Sequence, residues 1–97
     1  MTCFIADDPG PPHRRFYIYD DRPLDPSRGD PNVVNGWSFV VDETDGNGEP
    51  RPLRDTWEET FEEIIRYPEL YARSVLIWLD QDTGQTVDLQ AFNPTSG

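Results

Sequence analysis

The chain has 97 residues, is 35% hydrophobic and 12% aromatic, and carries 19 acidic against 8 basic residues, for a net charge of −11. This length suits a single domain spanning residues 1–97 and leaves no room for a second core. So negative a surface repels phosphate backbones, which argues against direct nucleic-acid binding, and no apolar run approaches the ~20 residues of a membrane-spanning helix.

The amino-terminal segment predicts a cytoplasmic protein. Residues 1–8 lack the basic start and the long apolar middle of a signal peptide. Cys3 is the only cysteine, which excludes an internal disulfide, and it is expected to be a small buried residue in a first strand over residues 2–6. His13 is the only histidine, so a site built on paired histidines is excluded, and neither a cofactor nor a bound metal is expected.

The clearest strand pattern covers residues 14–19. Phe16 and Ile18 fall on one face of this segment, and Tyr17 and Tyr19 fall on the other. If the second face is open to water, its tyrosines have the composition of a protein-binding surface. The alternative is that helix and loops cover both faces, so that the tyrosines belong to the core.

A long loop and another strand follow. Residues 20–32 contain three prolines and a glycine. A loop of that length in a compact domain more often has a function than none, and disorder is the alternative. The turn at Asn35–Gly36 leads into a strand over residues 37–41, and residues 42–52 are a second turn-rich loop. The apolar positions that alternate in the strand are Trp37, Phe39 and Val41.

The segment 55–67 predicts the main helix. Thr56 and Glu59 form a Thr-x-x-Glu capping box, and Pro68 ends the helix at Tyr67. Apolar residues recur at i, i+4, i+7 and i+8, which is the buried stripe of an amphipathic helix. That stripe consists of Trp57, Phe61, Ile64 and Ile65.

The remaining elements complete an α+β fold. Residues 74–79 are apolar on both faces, which predicts a central strand covered on each side. The turn at 80–85 joins it to a last strand over 85–92 in a hairpin, with Gly84 free to adopt positive φ, and residues 93–97 form a tail. The predicted order is β-β-β-α-β-β, a small antiparallel sheet of about four to five strands packed against one main helix.

Two short motifs favour structural interpretations. Asp82-Thr83-Gly84 matches the signature of retroviral-type aspartic proteases, but it lies in a hairpin close to the end of the chain and is therefore interpreted as a turn. The segment 42–49 has the oxygen density of a calcium loop, but Arg54 stands where a bidentate Glu is required. A polar hairpin loop is preferred there, and a weak surface cation site stays open.

Acidic side chains recur in three separate segments, which supports a negative interaction surface, with plain solubility as the alternative of about equal weight. The predicted helix places like charges at i, i+4, an unfavourable arrangement, and only Glu62 with Arg66 offers a favourable pair. A partner with a basic surface is the expected counterpart. The residues predicted to bind it are Tyr17, Tyr19, Asp20, Asp21, Asp25, Asp30, Glu58, Glu59, Glu62 and Glu63.

The sequence thus predicts a small acidic binding protein without chemistry of its own. Its expected partner is a nuclease or another nucleic-acid-binding protein, occluded sterically and electrostatically, as an anti-defence inhibitor such as an anti-CRISPR or an immunity protein would do. The alternative is a non-catalytic structural or assembly subunit whose acidity serves only solubility. A hydrolase that uses scattered carboxylates is a third class.

Overall fold

The computed structural model describes residues 2–20 and 36–92. The predicted loop at 20–32 lies outside the described residues beyond Asp20, as do Asn35 of the predicted turn and the tail at 93–97. The elements are β1 (Cys3–Asp8), β2 (Arg14–Asp20), β3 (Trp37–Thr44), β4 (Pro50–Glu58), α1 (Phe61–Ile64), α2 (Pro68–Tyr71), β5 (Trp78–Asp80) and β6 (Thr86–Val87).

The strands form one sheet in the order β4-β3-β2-β1-β5-β6, and every neighbouring pair is antiparallel. The first four strands follow one another as a meander. The chain then crosses the sheet through α1 and α2 and adds β5 beside β1. This confirms the predicted α+β fold with an antiparallel sheet, and the described residues contain six strands where four to five were expected.

The core lies between the sheet and the two short helices. Aromatic rings fill much of it: Phe61 of α1 packs edge-on against Trp37 and Phe4, with centroids 4.8 and 6.2 Å apart. Tyr67 and Tyr71 both approach Phe39 at 5.9 Å. The register places the sheet residues of this core on one face, where the most deeply buried are Phe4, Ala6, Phe16, Ile18, Phe39 and Val41.

The helix predicted over 55–67 is wrong in its first half. Residues up to Glu58 belong to β4, and α1 begins only at Phe61. The chain contains Thr-x-x-Glu twice, and the second copy is the cap: Thr60 Oγ1 accepts from the Glu63 N–H at 3.2 Å. Trp57 fits an alternating strand as well as a helical stripe, and pairing with β3 decides for the strand.

Trp57 is consequently not part of the core. Its side chain is 39% exposed, whereas Phe61 and Ile64, the next residues of the predicted stripe, are buried. The predicted end at Tyr67 is also wrong, since α1 ends at Ile64, and Pro68 occupies the first turn of α2.

The central strand predicted over 74–79 is also wrong in its extent. Only Trp78–Asp80 is strand, and Val75 is 93% exposed. The buried carboxylate of Asp8 fixes the chain at the start of this segment: it accepts from the Arg73 N–H at 2.6 Å and from Ser74 Oγ at 3.1 Å. At the register of β5, continued pairing with β1 would end with Leu76 opposite Asp8, so Arg73 and Ser74 lie beyond its reach.

The hairpin that joins the last two strands is confirmed, although β6 is shorter than the strand predicted over 85–92. The Gly84 N–H donates to the carbonyl of Asp80 at 2.7 Å, and Gly84 has φ 72°. Beyond Val87 the chain turns, and Leu89 and Phe92 pack onto the helical side of the sheet.

Candidate protein-binding face

The sheet has a second face, opposite α1 and α2, which we call the open face. Among residues 2–20 and 36–92, no helix packs against it. Strand alternation brings large side chains to it from five strands, because residues paired across neighbouring strands share a face. Its apolar and aromatic members are Ile5, Tyr17, Tyr19, Val40, Trp57 and Leu79.

Two rows of paired residues order the open face. In one row Tyr19 pairs with Ser38, and Ser38 pairs with Trp57, so a small side chain separates the two large rings. In the adjacent row Tyr17 lies between Ile5 and Val40, and the row extends to Leu79 on β5. The result is a continuous apolar strip across the sheet.

The strip is accessible at both ends. Trp57 on β4 is 39% exposed and Leu79 on β5 is 40% exposed, while Tyr17 and Tyr19 between them are half-buried by their neighbours. The sequence-based expectation that the tyrosines share a face opposite Phe16 and Ile18 is therefore confirmed.

Trp57 rests on Gly36. A Cβ added to this glycine would lie 2.3 Å from Cζ2 of the indole and 2.6 Å from the carbonyl oxygen of Glu58. The bare backbone of Gly36 thus leaves the space that the six-membered ring occupies. This contact fixes the ring at one end of the strip.

One border of the open face carries alternating charges. Asp7 Oδ1 accepts from Arg15 Nε at 3.2 Å and lies 3.1 Å from His13 Nε2. The Asp7 carboxylate raises the pKa of Arg15, with a further contribution from Tyr17. Asp42 pairs with Arg15 from β3, and Asp55 lies beside Val40 on β4, so the face has more acids than bases.

The predicted acidic residues of the β4–α1 corner follow Trp57 in the chain. Glu59 and Glu62 are exposed, and Glu62 forms an ion pair of 3.8 Å with Arg66, as expected from their spacing. Glu63 accepts from the Thr60 hydroxyl at 2.9 Å.

Glu58 faces the helices rather than the open face. Its carboxylate accepts a short hydrogen bond from the Tyr67 hydroxyl, and this bond raises the pKa of Tyr67. Glu58 and Glu63 line a shallow depression of about 300 Å³ with Arg66, Tyr67 and Leu70. The corner therefore joins an acidic recess on the helical side to Trp57 on the open face.

The structure divides the predicted binding residues among several places. Tyr17 and Tyr19 lie on the open face, and the four glutamates lie at the β4–α1 corner. Asp20 is only 4% exposed and belongs to the helical face, so it is not part of an accessible surface. Asp21, Asp25 and Asp30 lie outside the described residues.

Sequence reasoning missed Trp57 as a surface residue. The helical stripe assigned it to the core, and no apolar alternation marks the strand, since the charged Asp55 separates Leu53 from Trp57 and Leu53 lies at the irregularity of the β3–β4 register. The same strand contains Pro50 and Pro52, in a stretch where a turn-rich loop was expected. Both prolines lie on an edge strand, where they are tolerated.

The two short motifs form turns. Asp45 Oδ1 accepts from the N–H groups of Asn47 and Glu49 at 2.8 and 3.0 Å, and its other oxygen lies 3.2 Å from Arg51 Nε. Asp82 and Thr83 lie in the β5–β6 turn. Within residues 2–20 and 36–92 no three His, Cys, Asp or Glu side chains group as a metal site.

Cys3 is buried, as expected, in the first strand. Burial raises the pKa of its thiol, and the nearby carboxylates of Asp82 and Asp80 raise it further. Both effects disfavour the thiolate, which is the nucleophilic form.

Comparisons with known proteins give no relative. No protein-family model, no curated protein and no solved structure matches this chain significantly. In the described part of the chain, no helix is long and apolar enough to cross a bilayer.

Proposed function

We propose that this chain is a small acidic binding protein that inhibits or neutralises a basic, nucleic-acid-handling partner. The observation that carries the proposal is the strip of Trp57, Tyr19 and Tyr17, accessible at Trp57, on a sheet face that no helix within residues 2–20 and 36–92 covers, in a chain of net charge −11. An anti-defence inhibitor such as an anti-CRISPR, or an immunity protein, acts in this way.

The strip supplies the contact. Tyrosine and tryptophan are enriched among the residues that dominate binding energy, because they bury large areas at a low cost in side-chain entropy. Trp57 is held by Gly36 before any partner arrives, so little ordering is required on binding.

The charge supplies the encounter. A negative molecule is drawn to a surface rich in Lys and Arg, and such steering raises the association rate. The exposed acids Asp55 and Glu59, which lie two residues either side of Trp57 in the chain, then meet the side chains that the partner uses to hold phosphates. In the proposed mechanism, the bound protein thereby blocks the surface with which the partner binds nucleic acid.

A capture experiment with matched variants tests the proposal. The immobilised protein is compared with a Tyr17→Thr/Trp57→Thr variant and with Val75→Thr, which alters a more exposed apolar residue outside the open face. Threonine is chosen because it is a good strand former. We expect wild type and Val75→Thr to retain a basic protein that the strip variant, Tyr17→Thr/Trp57→Thr, does not retain. DNA or RNA should displace this basic protein.

The captured partner then allows a kinetic test. Its association rate should fall about tenfold between roughly 0.02 and 0.2 M salt, because the steering field is screened. Retention by the strip variant at the wild-type level contradicts the proposed face. An association rate that does not change with salt favours the structural or assembly subunit instead.

A further inference from the structure

The strand β4 lies at the end of the sheet, and its outer edge pairs with no strand in the described part of the chain. Exposed sheet edges are the sites at which extended peptides add as further strands. A peptide can pair with this edge only through N–H and C=O groups that point outward. The hydrogen-bond pattern of the sheet shows which residues of β4 have such groups.

One backbone hydrogen bond shows which residues of β3 point towards β2 and which point towards β4. The Thr44 N–H donates to the His13 carbonyl at 2.9 Å, so the backbone groups of Thr44 point towards β2. In an antiparallel sheet successive residues point to opposite sides, so Glu43, and with it Val41, Phe39 and Trp37, point towards β4. Their partners Arg51, Arg54, Thr56 and Glu58 therefore use their backbone groups within the sheet.

The residues between those partners point away from the sheet. Asp55 and Trp57 pair with no described strand on their outer side, so their N–H and C=O groups are directed outward. Pro50 and Pro52 fit the same pattern, since they face Thr44 and Asp42, whose groups point towards β2. A proline costs no ladder bond at such a position. The two prolines block the first part of the edge, and the part beyond Leu53 contains no proline.

The same two residues point their side chains to the open face. An incoming residue that exchanges hydrogen bonds with Asp55 or Trp57 must place its own side chain on that face, beside the carboxylate or the indole. A basic side chain suits the first position and an apolar one the second. Glu58 and Glu59 follow at the same end of the strand and add further negative charge.

We propose that the outer edge of β4 takes up an extended basic segment of the partner as an additional strand, hydrogen-bonded to the backbone of Asp55 and Trp57. This inference rests on the proposed function and specifies how the partner docks. A second copy of this chain is a poorer occupant because it brings its own net charge of −11 to the same edge.

The test uses a fluorescein-labelled hexapeptide in which every second residue is threonine and the residues between alternate arginine and valine, so that one face of the extended peptide offers arginine to Asp55 and valine to Trp57. Its affinity is measured for wild type, Asp55→Ala and Asp55→Pro. Both variants lose the carboxylate, and only the proline removes the outward N–H. We expect a few-fold weakening for Asp55→Ala and a further roughly tenfold weakening for Asp55→Pro, the effect of losing one strand-pairing bond.

A second readout leaves the protein unchanged. The same peptide with alternate N-methylated backbone amides keeps its charges and side chains but cannot donate at those positions. It should bind wild type at least tenfold more weakly than the parent peptide, whether or not Asp55→Pro folds, which circular dichroism establishes.

Three outcomes overturn the inference. Equal affinities of both peptides for wild type mean that side chains alone hold the peptide, and the proposed function then stands without edge pairing. No binding to wild type removes the edge as a site for basic segments, while the capture experiment judges the proposed function separately. A wild-type dimer in sedimentation that Asp55→Pro converts to monomer assigns the edge to a second copy.

Discussion

At the residue scale, Asp8 is a charged side chain that holds two distant segments together. It is 2% exposed and accepts from the Gly10 and Arg73 N–H groups and from the Ser74 hydroxyl. Donors aimed at a carboxylate stabilise its ionised form, and the Arg73 N–H is the main cause of the lowered pKa of Asp8. The position of Arg73 and Ser74, which follow α2, therefore depends on the ionised carboxylate of Asp8 on β1.

Replacing Asp8 should destabilise the fold. Asp8→Ala leaves a buried N–H unpaired and should cost about 2 kcal/mol in urea unfolding. Asp7→Ala is the matched control, because its partners are half exposed and their loss should cost less than about 1 kcal/mol. Equal losses for both variants contradict this role of Asp8.

Because the pKa of Asp8 is lowered in the folded state, we expect the free energy of unfolding to depend on pH. A folded-state pKa below the unfolded value, which is about 3.9 for aspartate, gives stability that is present above that pH. It is lost as pH falls through the lowered pKa of Asp8. Unfolding followed from pH 7 to pH 2 should therefore show a shallower acid slope for Asp8→Ala than for wild type, and parallel slopes contradict the assignment.

Gly36 gives a second test at this scale. Gly36→Ala places a methyl group against the Trp57 indole and the Glu58 carbonyl, so the ring must move or the strand must shift. We expect destabilisation of about 1–3 kcal/mol, as for overpacking, and a change in tryptophan emission.

Gly46→Ala is the control for this test, because nothing lies within 4 Å of its added Cβ. It should be nearly neutral. Unchanged stability and emission in Gly36→Ala contradict the packing of Trp57 on Gly36.

At the element scale, β2 and the first part of β3 are predictable from their alternation alone, because each pairs on both sides and keeps one face buried. The predicted positions of Tyr17 and Tyr19 follow from that alternation.

The segment 55–65 is not predictable in this way. Its apolar residues satisfy both periods, and two consecutive Thr-x-x-Glu motifs offer two helix starts. The choice is made by β3, which provides a pairing partner as far as Glu58. Long-range pairing of this kind overrides local propensity, and for this reason Trp57 was not recognised as a surface residue.

The second of these motifs can be tested directly. Thr60→Ala removes the hydroxyl that accepts from the Glu63 N–H and should cost about 1 kcal/mol of unfolding free energy. Thr60→Ser keeps the hydroxyl and should recover most of that loss. If serine and alanine are equally destabilising, the methyl group rather than the cap is responsible.

At the scale of the whole molecule, the acids of the described residues are distributed over both faces and several turns. The described ion pairs engage only some of these acids. Because the net charge of the chain is −11, its acidic side chains repel one another. Salt screens such repulsion. The expectation from sequence of one acidic surface is therefore better expressed as an acidic molecule with one apolar strip.

Added salt should consequently stabilise the fold. Between about 0.02 and 0.5 M NaCl we expect roughly 1 kcal/mol of stabilisation, which corresponds to about 4–8 °C in Tm for a domain of this size. KCl should act alike, because the effect depends on ionic strength. A Tm that falls with added salt means that attractive ion pairs outweigh the repulsion.

The position of β1 has a consequence for synthesis. The first strand of the chain lies inside the sheet, between β2 and β5, and its second neighbour is made only after both helices. A nascent chain that has released β1 to β4 therefore carries an unpaired edge along β1 until β5 leaves the ribosome. We expect chains that stop before Trp78 to be captured by chaperones or to aggregate through this unpaired edge of β1.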